Sequence, residues 1–133
     1  MSISQEPKSY LWWTGAAIAV MFVGSVLTSP GQAQVSGKGK DVFDKRCAGC
    51  HAMDRDKEGP RLGGVYGRTA ASIATFQYSP ALQKSKIKWA DDTLEKWLTD
   101  PEKLVPDNDM AFHVESAEER RAIIGYLKQL AAK

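Results

Sequence analysis

The chain has 133 residues, enough for at most one ordinary domain. It is 43% apolar and 26% charged, which excludes a disordered tail, a collagen-like repeat and a multi-spanning membrane protein. Eighteen Lys and Arg against sixteen Asp and Glu leave a formal charge of +2, too small an excess to argue for a nucleic-acid partner. No charged side chain occurs between Lys8 and Lys38, and inside that gap Leu11 to Leu27 is mostly apolar. A weakly basic head precedes it, and the small residues Ser29-Pro30-Gly31-Gln32-Ala33 follow, with Gly31 and Ala33 at signal-peptidase spacing. Charged head, apolar middle and small-residue exit predict an export signal over residues 1–33. Cleavage after Ala33 would leave residues 34–133 as the mature domain. The competing reading keeps residues 10–28 as a membrane anchor, since that run reaches the short limit of a spanning helix. Either way the rest of the chain is expected outside the cytoplasm, in the periplasm.

After Ala33 the apolar residues recur with a helical period and no run alternates like a strand, so the expected class is all-α. A first short helix is predicted from Gly39 to Cys47, with Val42 and Phe43 as its apolar stripe. Residues 51–73 carry Gly59, Pro60, Gly63, Gly64 and Gly67 and read as loop. Ser79-Pro80 reads as a helix start, with Ala81 to Lys84 as the helix. Asp92 is the predicted cap of a third helix, whose Leu94, Trp97 and Leu98 fall on one face before Pro101 stops it. Ser116 with Glu119 has the spacing of a capping box, and Ala122, Ile123, Tyr126, Leu127 and Leu130 then keep one apolar face to the end. Several short helices joined by glycine-rich loops make a thin core, and something else should help fill its middle.

Both cysteines and one of the two histidines fall in one pentapeptide, Cys47-Ala48-Gly49-Cys50-His51. Cys-x-x-Cys-His is the signature of c-type haem attachment. Two thiols must add across two vinyl groups of one porphyrin, so they sit about a helical turn apart. The imidazole after the second cysteine is then carried under the iron as proximal ligand. A zinc site would need four ligands, and the chain offers no second cysteine pair. A thioredoxin-like pair would need a βαβ neighbourhood, which the pattern lacks.

The second axial ligand must come from elsewhere. Met1 and Met21 lie in the export segment, and Met53 follows His51 too closely to cross to the far side. Met110 and His113 remain, the first in a proline-stiffened loop running from Lys103 to Met110.

From Gly39 to Lys128 the chain resembles a class I cytochrome c, similar to mitochondrial cytochrome c and the short bacterial cytochromes c2. Gly39 and Phe43 match the glycine and aromatic of the family's first helix. Gly59-Pro60 matches the dipeptide whose proline carbonyl accepts a hydrogen bond from the proximal imidazole. Arg68, after Gly67, and then Tyr78 and Trp89 fall at the spacings of residues that bind or neutralise a haem propionate. Pro106 and Met110 match the axial-methionine loop, with Phe112 beside the exposed haem edge, and Ile123 and Tyr126 match the helix that crosses the first at its glycine. The resemblance implies the cytochrome c fold and one haem c bound covalently through Cys47 and Cys50. It makes His51 and Met110 the iron ligands, with Pro60, Arg68, Tyr78 and Trp89 as further haem contacts. Leu62, Tyr66, Leu94, Leu98 and Leu104 are the expected haem walls. His/Met ligation leaves no open position for a substrate, so an electron carrier is expected rather than an enzyme.

The sequence departs from the family in three places. The segment Ala52 to Glu58 is shorter than its mitochondrial counterpart. Leu82 stands where many relatives carry an asparagine that orders a buried water. Mitochondrial relatives ring the haem edge with lysines; here Arg46, Lys103, Lys57 and Lys86 meet Glu102, Asp109 and Glu115. That face is expected to be mixed in sign, with weaker, less salt-dependent steering of its partners. The expected partners are redox proteins, a donor dehydrogenase or quinol-oxidising complex and an acceptor oxidase, met by a monomer. The alternatives to a free carrier are a membrane-tethered one and a haem peroxidase or gas sensor with an open distal site.

Overall fold

The computed structural model describes residues 30–132, with 30–36 described by their backbone alone. The predicted export signal or anchor lies almost wholly outside the described residues. None of the described helices is long and apolar enough to cross a membrane.

Among the described residues five helices follow one another: α1 (Pro30–Arg46), α2 (Pro80–Ser85), α3 (Asp91–Thr99), α4 (Pro101–Leu104) and α5 (Ala117–Ala131). Among the described residues the only β-pairing is an isolated bridge between Thr69 and Lys88. The first helix begins nine residues before the predicted Gly39. Pro30 suits a first turn, where its missing N–H costs nothing. The residues between it and Gly39 carry no apolar stripe, so periodicity could not reveal them.

The start of α2 is as expected, with Ser79 Oγ accepting from the Leu82 amide at 3.2 Å. The start of α3 is not. Ala90, rather than Asp92, is its N-cap residue, and both Asp91 and Asp92 sit in the first turn. The Thr93 hydroxyl fixes this boundary by accepting from the Ala90 amide at 2.8 Å and donating to the Lys88 carbonyl at 2.7 Å. The two carboxylates then lie beside the positive end of the helix, where they are favourable without capping it. Pro101 does end α3 but also opens α4, because Asp100 Oδ1 accepts from the Lys103 amide at 3.0 Å and caps the new turn. The methionine loop therefore begins after Leu104.

In α5 only half of the predicted capping box forms. Ser116 Oγ accepts from the Glu119 amide at 3.3 Å, while the Glu119 carboxylate turns to Arg46 of α1.

Helix α1 packs on α5, and α3 packs on both α5 and α4. Val42, Phe43, Leu94, Trp97, Leu98, Ile123 and Leu127 form the buried meeting point of these helices. The α1–α5 crossing depends on Gly39. A Cβ there would run into the Ala122 carbonyl oxygen and stand 2.8 Å from Tyr126 Cβ. The Phe43 and Tyr126 rings meet beside it with centroids 5.6 Å apart. Gly39→Ala is expected to force the two backbones apart and cost about 1–3 kcal/mol, as overpacking does. A urea titration would show this as a lower midpoint at unchanged slope.

Candidate functional site: a haem cavity

Helices α1, α3 and α5 and the loops around α2 and α4 leave a cavity of about 430 Å³ between them. That lies within the range of small-molecule and cofactor pockets. All eight residues singled out in the sequence line it: Cys47, Cys50, His51, Pro60, Arg68, Tyr78, Trp89 and Met110. Leu62, Leu94 and Leu98 supply apolar wall, and Leu82 joins them. The expectation for Tyr66 and Leu104 is corrected. Neither is among the lining residues, and both pack against the core instead. Tyr66 faces outward enough for the Lys128 ammonium to lie over its ring, 5.2 Å from the centroid.

The cysteines sit where α1 runs out. The Cys47, Cys50 and His51 amides continue the chain of backbone bonds past Arg46, with His51 N–H donating to the Cys47 carbonyl at 2.9 Å. This last turn sets the thiols and the imidazole on the cavity side. Burial pushes the Cys47 thiol up to about 11, so it stays protonated at neutral pH. The Lys57 ammonium closes the turn by donating to the carbonyls of Ala48 and Gly49 at 2.6 and 2.8 Å. A cation on free carbonyls at a helix C-terminus is favourable.

His51 Nδ1 donates to the Pro60 carbonyl at 2.8 Å. That bond holds the proton on Nδ1 and leaves Nε2 with its lone pair, the usual second-shell support of a metal-ligating histidine. Burial lowers the imidazole's affinity for a further proton, with the Pro60 bond opposing and the Lys57 charge adding. Gly59 makes the approach possible. A Cβ there would stand 2.6 Å from His51 Nδ1 and 2.8 Å from Nε2.

Met110 reaches the cavity from the loop between α4 and α5. Its amide donates to Asn108 Oδ1 at 2.7 Å, and Asn108 Nδ2 donates to the Val105 carbonyl at 2.9 Å. The indole N–H of Trp97 donates to Met110 Sδ at 3.1 Å. His113 is exposed and does not line the cavity, and Met53 is packed against the core away from it.

The polar end of the cavity holds Arg68, Tyr78 and Trp89. The Arg68 guanidinium is fixed by the carbonyls of Gly63 and Arg61 at 2.9 and 3.1 Å. Burial raises the pKa of Tyr78, which keeps its phenol a donor at neutral pH; it lowers that of Arg68, whose ordinary value lies so far above neutral that the guanidinium stays a donor too. Behind them Asp56 ties three segments together. It accepts from the Arg61 amide at 2.9 Å, Arg61 Nη1 at 3.2 Å and Thr75 Oγ1 at 3.0 Å. The Arg61 amide, before the other contacts, holds the Asp56 carboxyl below the usual range. A lowered folded-state pKa means stabilisation that is present above the unfolded value, near 3.9, and lost as pH falls through the folded one. Asp56→Asn is therefore expected to lower the urea midpoint at pH 7 and to match the wild type near pH 2. Equal losses at both pH values would show that the network's contribution is not ionic.

The residues fit a haem. The cavity offers apolar walls, a donor-rich end suited to buried carboxylates, two thiols, one imidazole held with a free Nε2 and one thioether. Among the described residues no group of three or more His, Cys, Asp or Glu could hold a bare metal ion. A family model described as Cytochrome c matches residues 36–131. The chain belongs to the cytochrome c family. It is similar to a cytochrome c of Chlamydomonas reinhardtii, 38% identical over 99 residues, covering 71% of this chain and 88% of the relative. It is also similar to a cytochrome c of Gibberella zeae, 40% identical over 95 residues, covering 68% and 90%. Among solved structures, cytochrome cH from Methylobacterium extorquens matches with a TM-score of 0.67 and 34% identity, covering 71% of this chain and 97% of that one. As a cytochrome c, the protein has the all-α cytochrome c fold and carries one covalently attached haem c, for which Cys47 and Cys50 are its two cysteines. It is a monohaem electron carrier that works with redox partners, not an enzyme.

Four contributors to this site escaped the sequence reading: Asp56, Lys57 in its capping role, Trp97 and Asn108. Trp97 carries the one usable signal, a lone N–H donor on a face otherwise made of leucine.

Proposed function

We propose that the chain is an exported periplasmic carrier, taking one electron at a time from a dehydrogenase or quinol-oxidising membrane complex and passing it to a terminal oxidase. In this reading Cys47 and Cys50 would hold the haem through thioether bonds, and His51 Nε2 and Met110 Sδ would hold its iron. Pro60 orients His51, while Arg68, Tyr78 and Trp89 offset the charge of the propionates, which would be costly unpaired in an apolar interior. Haem supplies the ferrous–ferric couple. The chain's own part is to hold the ligands rigidly, keep water out with Leu62, Leu94 and Leu98, and leave an edge accessible near Cys47 and Phe112. A thioether ligand in a buried site favours the ferrous state. The observation that carries the reading is that all eight residues, drawn from well-separated parts of the sequence, line one cavity.

Intact mass of the protein from its native host tests it. A mass for residues 34–133 plus one haem is expected and supports the freely diffusing form. Full-length mass plus one haem, with retention in carbonate-washed membranes, would replace it by the tethered form. A mass without haem from a healthy host would overturn the reading.

A further inference from the structure

We propose that Glu102 is a positioning residue for Met110: its carboxylate, carried on α4, braces the loop that presents the thioether and so keeps the second axial position of the iron closed. This deepens the carrier reading above and rests on its assignment of Met110 Sδ to the iron.

The segment that bears Met110 is anchored by backbone bonds at its two ends. The Val105 amide donates to the Pro101 carbonyl at 2.9 Å, and the Val114 amide donates to the Leu98 carbonyl at 2.7 Å. Between those anchors side chains take over. The Asp107 amide donates to Glu102 Oε1 at 3.0 Å, and Asn108 Nδ2 donates to Glu102 Oε2 at 3.3 Å. One carboxylate thus holds two successive residues of the loop.

Each contact fixes something that Met110 needs. Asp107 has a φ of 61°, a left-handed conformation that a residue with a side chain adopts at a cost. An acceptor on its amide offsets that cost and holds the bend after which the chain lines the cavity, from Asn108 to Phe112. Asn108 is then oriented by what lies on its nitrogen. Nδ2 has two acceptors, Glu102 Oε2 and the Val105 carbonyl at 2.9 Å, so Oδ1 must face the other way. There it accepts from the Met110 amide at 2.7 Å. Glu102 therefore acts on the backbone of Met110 through Asn108, while Trp97 holds the sulfur from α3.

Glu102 is suited to the task. Its own helix is fixed by the Asp100 cap and the buried Pro101. Among the described residues it joins no ion pair, so both of its oxygens serve the loop. A carboxylate, with two acceptor oxygens and no donor, can take two N–H groups side by side where an amide could take only one.

The test is imidazole binding to the ferric holoprotein at pH 7. An entering ligand reaches the iron in proportion to the fraction of molecules whose loop has let go, so its apparent affinity reports the brace. Glu102→Ala is expected to bind imidazole on the order of tenfold more tightly than the wild type, the factor that one or two such hydrogen bonds supply. The uptake rate at saturating imidazole, limited by departure of the thioether, should rise with it. Glu102→Gln, whose amide can accept from Asp107 but not also from Asn108, should fall between. Two controls should bind as the wild type does: Gly39→Ala, destabilised at the α1–α5 crossing, and Glu115→Ala, which removes the same charge beyond the other end of the loop. An unchanged Glu102→Ala, or an equal gain in either control, would overturn the proposal. Glu102→Ala combined with Met110→Ala should bind no more tightly than Met110→Ala alone, because the brace acts only through Met110. A further gain in the double variant would overturn it too, by showing that Glu102 governs access to the pocket instead. Should Met110→Ala itself bind imidazole no more tightly than the wild type, the thioether is not on the iron, and the ligand assignment fails together with this inference.

Discussion

Replacing Met110 by Ala is expected to turn a holoprotein that does not take up carbon monoxide when reduced into one that does. In the ligation proposed above, with His51 and Met110 both on the iron, a small ligand would have to displace the thioether before it could bind. An axial contact worth about 3 kcal/mol corresponds to roughly a hundredfold in apparent affinity, which the variant should regain. The same change has a structural cost. Met110 packs against the core, and it is the acceptor for the Trp97 indole N–H. Truncating a partly buried methionine and leaving that donor unpaired should together destabilise by about 2–4 kcal/mol. The two consequences separate cleanly. His113→Ala should change neither, because His113 is exposed and away from the cavity. Equal carbon monoxide binding by wild type and Met110→Ala would show that the thioether is not on the iron.

What the sequence made legible follows from what local chemistry can fix. Cys47, Cys50 and His51 must be adjacent because one porphyrin demands it, so the attachment site could be read without any fold. Pro60, Arg68, Tyr78 and Trp89 became readable only in register with that pentapeptide, since none of them alone specifies a haem contact. The face of α5 was legible because its apolar residues keep a helical period over four turns. Boundaries were less so. A threonine hydroxyl moved the start of α3 away from the aspartate that looked like its cap, and a proline that ends one helix opened another. Hardest to read were the contacts that join distant residues. Asp56 meets Thr75 nineteen positions away, and Arg46 meets Glu119 seventy-three away. In neither pair does the local sequence around one residue point to the other. The Arg46 pairing matters most, because the sequence offered Arg46 as a docking cation and the fold gives its charge to α5.

Trp97→Phe is expected to lower the midpoint potential, and the reason lies in one hydrogen bond. On sequence Trp97 is core, the middle member of the stripe Leu94, Trp97 and Leu98, and it is indeed buried. Its indole N–H nonetheless donates to Met110 Sδ at 3.1 Å. A thioether sulfur has two lone pairs, and a donor on one of them withdraws density from the other. On the iron, as proposed for Met110, that sulfur would be a poorer ligand for ferric than for ferrous iron, so the bond would raise the potential, as second-shell contacts can. If it differs by about 1 kcal/mol between the two oxidation states, its loss lowers the midpoint by about 40 mV. Phenylalanine keeps an aromatic ring near Trp89, whose centroid lies 5.3 Å from that of Trp97, but it is smaller and leaves space. That lost packing should cost about 1–3 kcal/mol of stability whatever the redox role. Stability therefore cannot decide the question, and potential can. Trp97→Leu removes the donor and the ring together, so it should fall in potential by the same amount as Trp97→Phe while losing more stability. Two variants that lose stability at an unchanged potential would leave Trp97 as packing alone. Because an indole donates without titrating at ordinary pH, the wild type and both variants should also show the same dependence of potential on pH. A change in that dependence would mean that the substitution disturbs the Arg68–Tyr78 end of the cavity, through Trp89, rather than the sulfur.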